Sequence, residues 1–201
     1  MRIKKQGFWK GAGQHENVLI INGHEYYKKS KGELNQTIFN EMQHLLADQF
    51  DIKTTVVDKD YEVEEEVEKW LWADVVIMQT PIYWFSIPGK FKQYIDRVYM
   101  DNIFFKGSNQ YGRGGLLTGK KYMFSLTWNA PEAIFNNDEA FYEGKSLDEA
   151  IMHLHKMNQY VGMSPLPTYS IHDVVKHPNI DHYKHKLENH VAEVFGIGEH
   201  Q

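Results

Sequence analysis

The 201-residue chain sets 22 Lys and Arg against 27 Asp and Glu, a net charge of −5, which gives no electrostatic case for nucleic acid as the main partner. With 42% hydrophobic residues it is long and apolar enough for one domain with a substantial core. Cysteine is absent, which excludes disulfides, thiolate metal sites and a cysteine nucleophile, and fits a reducing cytoplasm.

Residues 1–16, MRIKKQGFWKGAGQHE, read as an N-terminal extension ahead of a domain spanning 17–201. They are basic without the apolar stretch of a secretory signal, and Phe8 and Trp9 offer a packing surface to a partner. No apolar run approaches the roughly 20 residues of a membrane span, so no integral membrane segment is expected. From Asn17 the chain runs NVLIING, a short apolar run closed by Asn22-Gly23, as in a buried parallel strand. A polar loop with Ser30 and Gly32 follows, then Leu34, Ile38, Met42, Leu45 and Leu46 at helical spacing. This order places backbone N–H groups and the positive end of a helix over the strand's carboxyl edge, which suits a phosphate. A plain helix cap uses the same physics, and neither GxxxxGK[ST] nor GxGxxG is present, so the stretch alone leaves both readings open.

Ile52 to Val57 is the second predicted strand, and Tyr61 to Trp72 an amphipathic helix whose glutamates form a solvated face. Ala73 to Gln79 is a third strand, apolar on both faces and stopped by Thr80-Pro81. Tyr83, Trp84 and Phe85 then sit in a loop between Pro81 and Pro88, where aromatics can wall a flat ring system or pack beneath the next helix. That helix starts at Lys90 and carries Phe91, Tyr94, Ile95 and Val98 on one side. Residues 101–119 are glycine-rich and irregular, a length that marks a functional or mobile loop. Lys121 to Thr127 is the fourth strand and leaves into Trp128-Asn129-Ala130-Pro131; a second long excursion covers 129–146. Leu147 to Val161 reads as one helix closed by Gly162, Pro167 to Ile171 as a weaker fifth strand, and 179–195 as a terminal amphipathic helix.

Five strands alternating with five helices predict an α/β protein with an open parallel sheet, order 2-1-3-4-5, and helices on both faces. In such a flavodoxin-like arrangement ligands bind outside the carboxyl ends of the strands, where the winding reverses. The Ser30 loop, the 81–85 loop and the 127–130 turn all converge there.

The eleven histidines do not complete a metal site by spacing: His153 and His155 point to different sides of a helix, and His182 and His185 share a face without a third ligand. No GxSxG elbow or Ser-His-acid arrangement is present, so no protein group is assigned as catalytic. A flat-ring cofactor would supply the chemistry that the chain lacks.

Four separated segments together carry a family resemblance: NVLIING with SKGELNQT, LWADVVIMQTPIYWFSIPGKFKQYID, YGRGGLLTGKKYMFSLTWNAP, and NQYVGMSPLPTYSIHDV. Occurring in this order over 17–195, they resemble the modulator of drug activity B group of NAD(P)H:quinone oxidoreductases, flavodoxin-like flavoproteins in the DT-diaphorase superfamily. The resemblance implies bound FAD rather than FMN, NAD(P)H as co-substrate, a homodimer with sites at the subunit interface, and two-electron hydride transfer through the flavin to a quinone. By the same resemblance Ser30, Gly32, Glu33, Leu34, Asn35 and Thr37 fall in the segment that holds the flavin phosphates. Pro81, Ile82, Tyr83, Trp84 and Phe85 match the loop beside the isoalloxazine. Tyr111 matches a tyrosine of the glycine-rich loop, and Thr127, Trp128, Asn129 and Ala130 match the turn that faces the pyrimidine side of the ring. Ile82 and Tyr83 depart from the glycine or tryptophan common in the family. The tyrosine–histidine pair of DT-diaphorase finds no counterpart in 129–146, so no proton donor is named. Two alternatives stay open: an FMN-dependent azo- or nitroreductase, and a non-enzymatic redox-sensing ancillary subunit of a potassium efflux system.

Overall fold

The computed structural model describes residues 16–28, 30–176 and 178–197, so the expected extension lies outside the described residues apart from Glu16, which opens the first strand. Strands β1 (Glu16–Asn22), β2 (Phe50–Val56), β3 (Val75–Pro81) and β4 (Lys121–Thr127) are followed at the sheet edge by two short pieces, β5 (Ser164–Pro165) and β6 (Tyr169–Ile171). The order is β2-β1-β3-β4-β5, with β6 also on β4, and every pairing is parallel. Helices α1 (Glu33–Leu46), α2 (Val63–Trp72), α3 (Gly89–Val98), α4 (Leu147–Ala150), α5 (Met152–Tyr160) and α6 (Ile180–Phe195) make the crossovers and cover the sheet.

Alternate residues of each central strand enter opposite cores, which is why these strands read as continuous apolar runs. Val18, Ile20, Val75 and Ile77 pack with Ile38 and Met42 of α1 and Leu187 and Val191 of α6. Leu19, Ile21, Val76 and Met78 pack with Trp70 of α2 and Phe91 and Tyr94 of α3 on the other face. Each of the strand residues named is at most 1% exposed, and burying such a side chain contributes about 1.5–3 kcal/mol.

Two elements differ from the sequence reading. The expected single edge strand is split. On β4, Met123 and Phe124 separate the paired segments, whereas Leu166, Pro167 and Thr168 do so on the edge, one residue more. Pro165 and Pro167 lack N–H groups and are tolerated at an edge with such a bulge. The expected helix 147–161 is likewise two helices. Its first turn is fixed by a capping box, in which the Ser146 hydroxyl accepts from the Glu149 N–H and the Glu149 carboxylate accepts from the Ser146 N–H. The chain then bends at Ile151 (φ −105°, ψ 21°), which places that side chain fully in the core.

The glycine-rich segment forms no strand pair; Phe104 and Leu117 anchor it in the core. At Gly115 any Cβ would lie 2.3 Å from the Gly162 nitrogen, so the segment meets the end of α5 backbone to backbone.

Candidate functional site

At their carboxyl ends the three central strands turn polar at matched register: Asn22 pairs with Gln79, and Gln79 with Ser125. These buried side chains link into one chain with the first turn of α1. The Ser125 hydroxyl donates to the Gln79 carbonyl oxygen, the Gln79 amide donates to Asn35 (2.7 Å), and Asn35 donates to Asn22 (2.7 Å). Asn22 also donates to Gln36 (3.0 Å) and accepts from the His24 N–H (3.1 Å). A buried polar group without a partner costs about 1–3 kcal/mol, so this ladder fixes the helix start against the sheet. Asn35, expected to face a phosphate, has both ends of its amide directed inward.

The helix starts at Gly32, whose φ of 78° is left-handed and whose missing Cβ makes room for the His24 ring, 2.5 Å from where a Cβ would sit. No side chain caps α1, so the N–H groups of its first turn are left to other partners. Glu33 is exposed and Leu34 half-buried at this end, and the Thr37 hydroxyl donates back to the Glu33 carbonyl (2.9 Å). A cleft of about 450 Å³ opens here between Asn22, His24, Gly32, Gln36 and Asp58. Burial lowers the pKa of His24, against the opposing pull of Asp58, Ser30 and Glu25. Its Nε2 lies 3.4 Å from the Ser30 hydroxyl, and that hydroxyl is 2.8 Å from the Tyr83 phenol.

Tyr83 thus ties the helix-start loop to the loop after β3. Pro81 is buried at the strand end, and the Ile82 N–H reaches the Thr127 carbonyl (3.0 Å), which joins that loop to β4. Tyr83 and Ser86 exchange backbone hydrogen bonds (2.8 and 3.1 Å) around Trp84 and Phe85, whose φ angles are 49° and 69°. Positive φ at both central positions is the pattern of a type I′ turn, normally filled by Asn and Gly; a bulky side chain there costs of order 1–2 kcal/mol. The strained turn holds Trp84 93% exposed, while Phe85 stacks on Phe141 of the second excursion (5.6 Å, 18°). Burial pushes the Tyr83 phenol up to about 12.

Along the 127–130 turn the side chains divide. Thr127 is buried, and so is the Trp128 indole, 3% exposed between Phe135 (5.4 Å) and His172 (6.3 Å), its Nε1 without a hydrogen-bond partner among the described residues. The Trp128 N–H is spent on the Ile171 carbonyl (2.9 Å). The N–H groups of Asn129 and Ala130 make no hydrogen bond within the described residues.

The structure therefore brings together the expected residues of the first loop, 81–85 and 127–130. Tyr111 stands apart: it is 93% exposed, 5.8 Å from Tyr160, and lines a cleft of about 800 Å³ between α3 and α5 with Ser86 and Arg113. Sequence reasoning missed Asn22, Gln79, Ser125, His24 and His172 as parts of the site. The polar residue recurring near the end of each apolar strand was the signal for the first three.

Fold and site together define a flavodoxin-like α/β protein with a candidate ligand cleft at the carboxyl edge of its sheet, over the ends of β1 and β2. A family model described as the flavodoxin-like fold matches residues 16–194. The chain is 40% identical over 191 residues to the NADPH:quinone oxidoreductase MdaB of Haemophilus influenzae, an alignment covering 90% of this chain and 100% of that protein. It belongs to the flavodoxin-like family that this Haemophilus enzyme represents. Among solved structures, the general stress protein 14 of Treponema denticola in complex with FMN superposes with a TM-score of 0.69 at 16% identity, over 90% of this chain and 98% of that one. The NAD(P)H:quinone oxidoreductase of Methanothermobacter marburgensis gives 0.66 at 15%, over 88% and 96%. At these identities the likeness establishes the fold. Among the described residues no helix is long and apolar enough to cross a membrane.

Proposed function

We propose that the chain is an NAD(P)H:quinone oxidoreductase that works as a homodimer with FAD at the carboxyl edge of its sheet. The observation that carries this reading is the 40% identity to the Haemophilus quinone oxidoreductase over the whole of that protein. The residues present fit a flavin. The first turn of α1 has no side-chain cap and suits a phosphate, Trp84 is held out as a flat wall, and the Asn129 and Ala130 N–H groups have no partner among the described residues.

A bound flavin accepts hydride from a nicotinamide and passes it to a quinone. The chain's own contribution is to bind and orient. Ser30, Gly32, Glu33, Leu34 and Thr37 present the loop and helix start to the phosphates, and Asn35 holds that helix start through the buried ladder. Of Pro81, Ile82, Tyr83, Trp84 and Phe85, the exposed Trp84 and Phe85 would supply the aromatic wall and the other three hold the loop in place. The Asn129 and Ala130 N–H groups would hold the end of a flavin ring that becomes negative on reduction, where preorganised donors stabilise charge without reorganising. Tyr111 joins the site from a second copy, which fits its exposure at the mouth of the α3/α5 cleft.

The FMN complex of the Treponema relative supports FMN as the alternative cofactor. Purified protein incubated with each flavin, desalted and heat-released tests the choice. FAD retained at one per chain, in a species of twice the chain mass by sedimentation, is the expected result. Retention of FMN alone would replace the FAD assignment, and a monomer with a full flavin complement would remove the role given to Tyr111.

A further inference from the structure

We propose that His172, which no resemblance assigns, is a positioning residue of the flavin site: it sets the Asn129–Ala130 turn from the α6 side through the Ala130 carbonyl. The inference rests on the flavin reading above. After β6 the chain continues alongside the 128–130 turn. The Val174 N–H reaches the Trp128 carbonyl (3.1 Å), and the Asp173 N–H reaches the Ala130 carbonyl (3.3 Å). Asp173 adopts a left-handed φ of 55°, which turns the following chain toward the 128–130 turn. The His172 Nδ1 lies 3.3 Å from the same oxygen, and its Nε2 lies 3.0 Å from the Ser170 hydroxyl.

These partners fix the proton. A carbonyl only accepts, so Nδ1 carries the hydrogen; in the neutral ring Nε2 then accepts from Ser170. Burial favours the neutral ring, with Glu132 and Lys186 acting in opposite directions. The imidazole is further confined by Trp128 on one face (6.3 Å, 26°) and Phe135 edge-on (5.6 Å, 61°), and its own carbonyl accepts from the Tyr183 phenol (3.2 Å). A half-buried ring held by these contacts is a rigid support for the adjacent peptide. The Ala130 carbonyl precedes Pro131, which has no N–H, so the turn gains nothing from a donor on that side. Asp173 and His172 fix the 130–131 peptide through the Ala130 carbonyl, and Val174 fixes the 128–129 peptide through the Trp128 carbonyl, so the Asn129 N–H lies in an anchored peptide and the Ala130 N–H between two of them.

The test uses full-length wild type, His172→Ala and His172→Asn, each loaded with flavin, and reads the flavin Kd by fluorescence titration, the two-electron midpoint potential and the Tm. His172→Ala is expected to weaken binding of oxidised flavin about tenfold and of reduced flavin about a hundredfold; that further tenfold lowers the potential by about 30 mV for a two-electron couple. His172→Asn, whose amide can still donate to the Ala130 carbonyl, should recover most of both. Wild-type Kd and potential in His172→Ala would overturn the assignment, as would equal losses in both variants. If His172→Ala fails to fold, Ser170→Ala, which frees the ring to turn, replaces it: a smaller shift of potential in the same direction supports the role, and none overturns it. Wild type that takes up no flavin defeats the underlying reading first, and is thereby distinguishable from a failure of His172 alone.

Discussion

The Ser30 hydroxyl and the Tyr83 phenol lie 2.8 Å apart, across two loops that follow different strands. This contact couples the start of α1 to the aromatic turn, so Tyr83→Phe should loosen both. A part-buried hydrogen bond of this kind is worth about 0.5–1.5 kcal/mol, and a double-mutant cycle with Ser30→Ala in urea should return a coupling energy in that range. Strict additivity of the two changes would show that the loops are held independently.

The buried ladder makes a larger prediction. Gln79→Leu removes a partner from Asn35 and from Ser125 together, and each orphaned group costs about 1–3 kcal/mol. The unfolding midpoint should fall by far more than for an exposed substitution such as Glu65→Gln. Asn35→Leu should behave alike and also weaken flavin binding, because the start of α1 moves.

Trp84 is expected to depart from the usual penalty for replacing an aromatic by glycine. Trp84→Gly relieves a left-handed φ of 49° and uncovers no core, since the side chain is 93% exposed. Relief of about 1–2 kcal/mol offsets the roughly 0.4–1 kcal/mol of added unfolded-state freedom. The Tm should hold or rise while flavin or quinone affinity drops. A clear loss of Tm would mean that the indole supports the fold.

Acid sensitivity follows from one buried histidine, His24, and two half-buried ones, His172 and His190. Burial is the first cause of the lowered pKa at His24, His172 and His190. Between the folded values and the unfolded value of about 6.5, the unfolded chain binds more protons than the native one, so stability falls as pH drops through that window. Urea midpoints at about pH 7.5 and pH 5.5 should differ in that direction, and His190→Gln should flatten the slope.

Much of this fold was legible because the central strands are buried on both faces and leave unbroken apolar runs at Val18–Ile21 and Val75–Met78. The edge was harder. Pro165 and Pro167 divide it, and a bulge leaves no periodicity to read. The kink at Ile151 likewise follows from where the core lies rather than from helix propensity. At the site, the sequence pointed to loops that the fold brings together at the carboxyl edge of the sheet but could not say which way side chains turn. Asn35 and Trp128 face inward, Tyr83 reaches back to Ser30, and the positive φ at Trp84 and Phe85 contradicts local preference, as functional segments often do. His172 lies within a quoted segment, yet its contact with Ala130 spans forty-two residues and exists only once β6 pairs with β4.

A flavin at the carboxyl edge of the sheet is expected to pass two electrons from a nicotinamide to a quinone. The most direct measurement is the anaerobic visible spectrum of the flavin-loaded protein, first with NADPH or NADH and then with a quinone. The flavin band should bleach on addition of the nucleotide and return on addition of the quinone, with one equivalent consumed at each stage. A protein that takes up neither FAD nor FMN, or whose bound flavin is reduced by neither nucleotide, would contradict it.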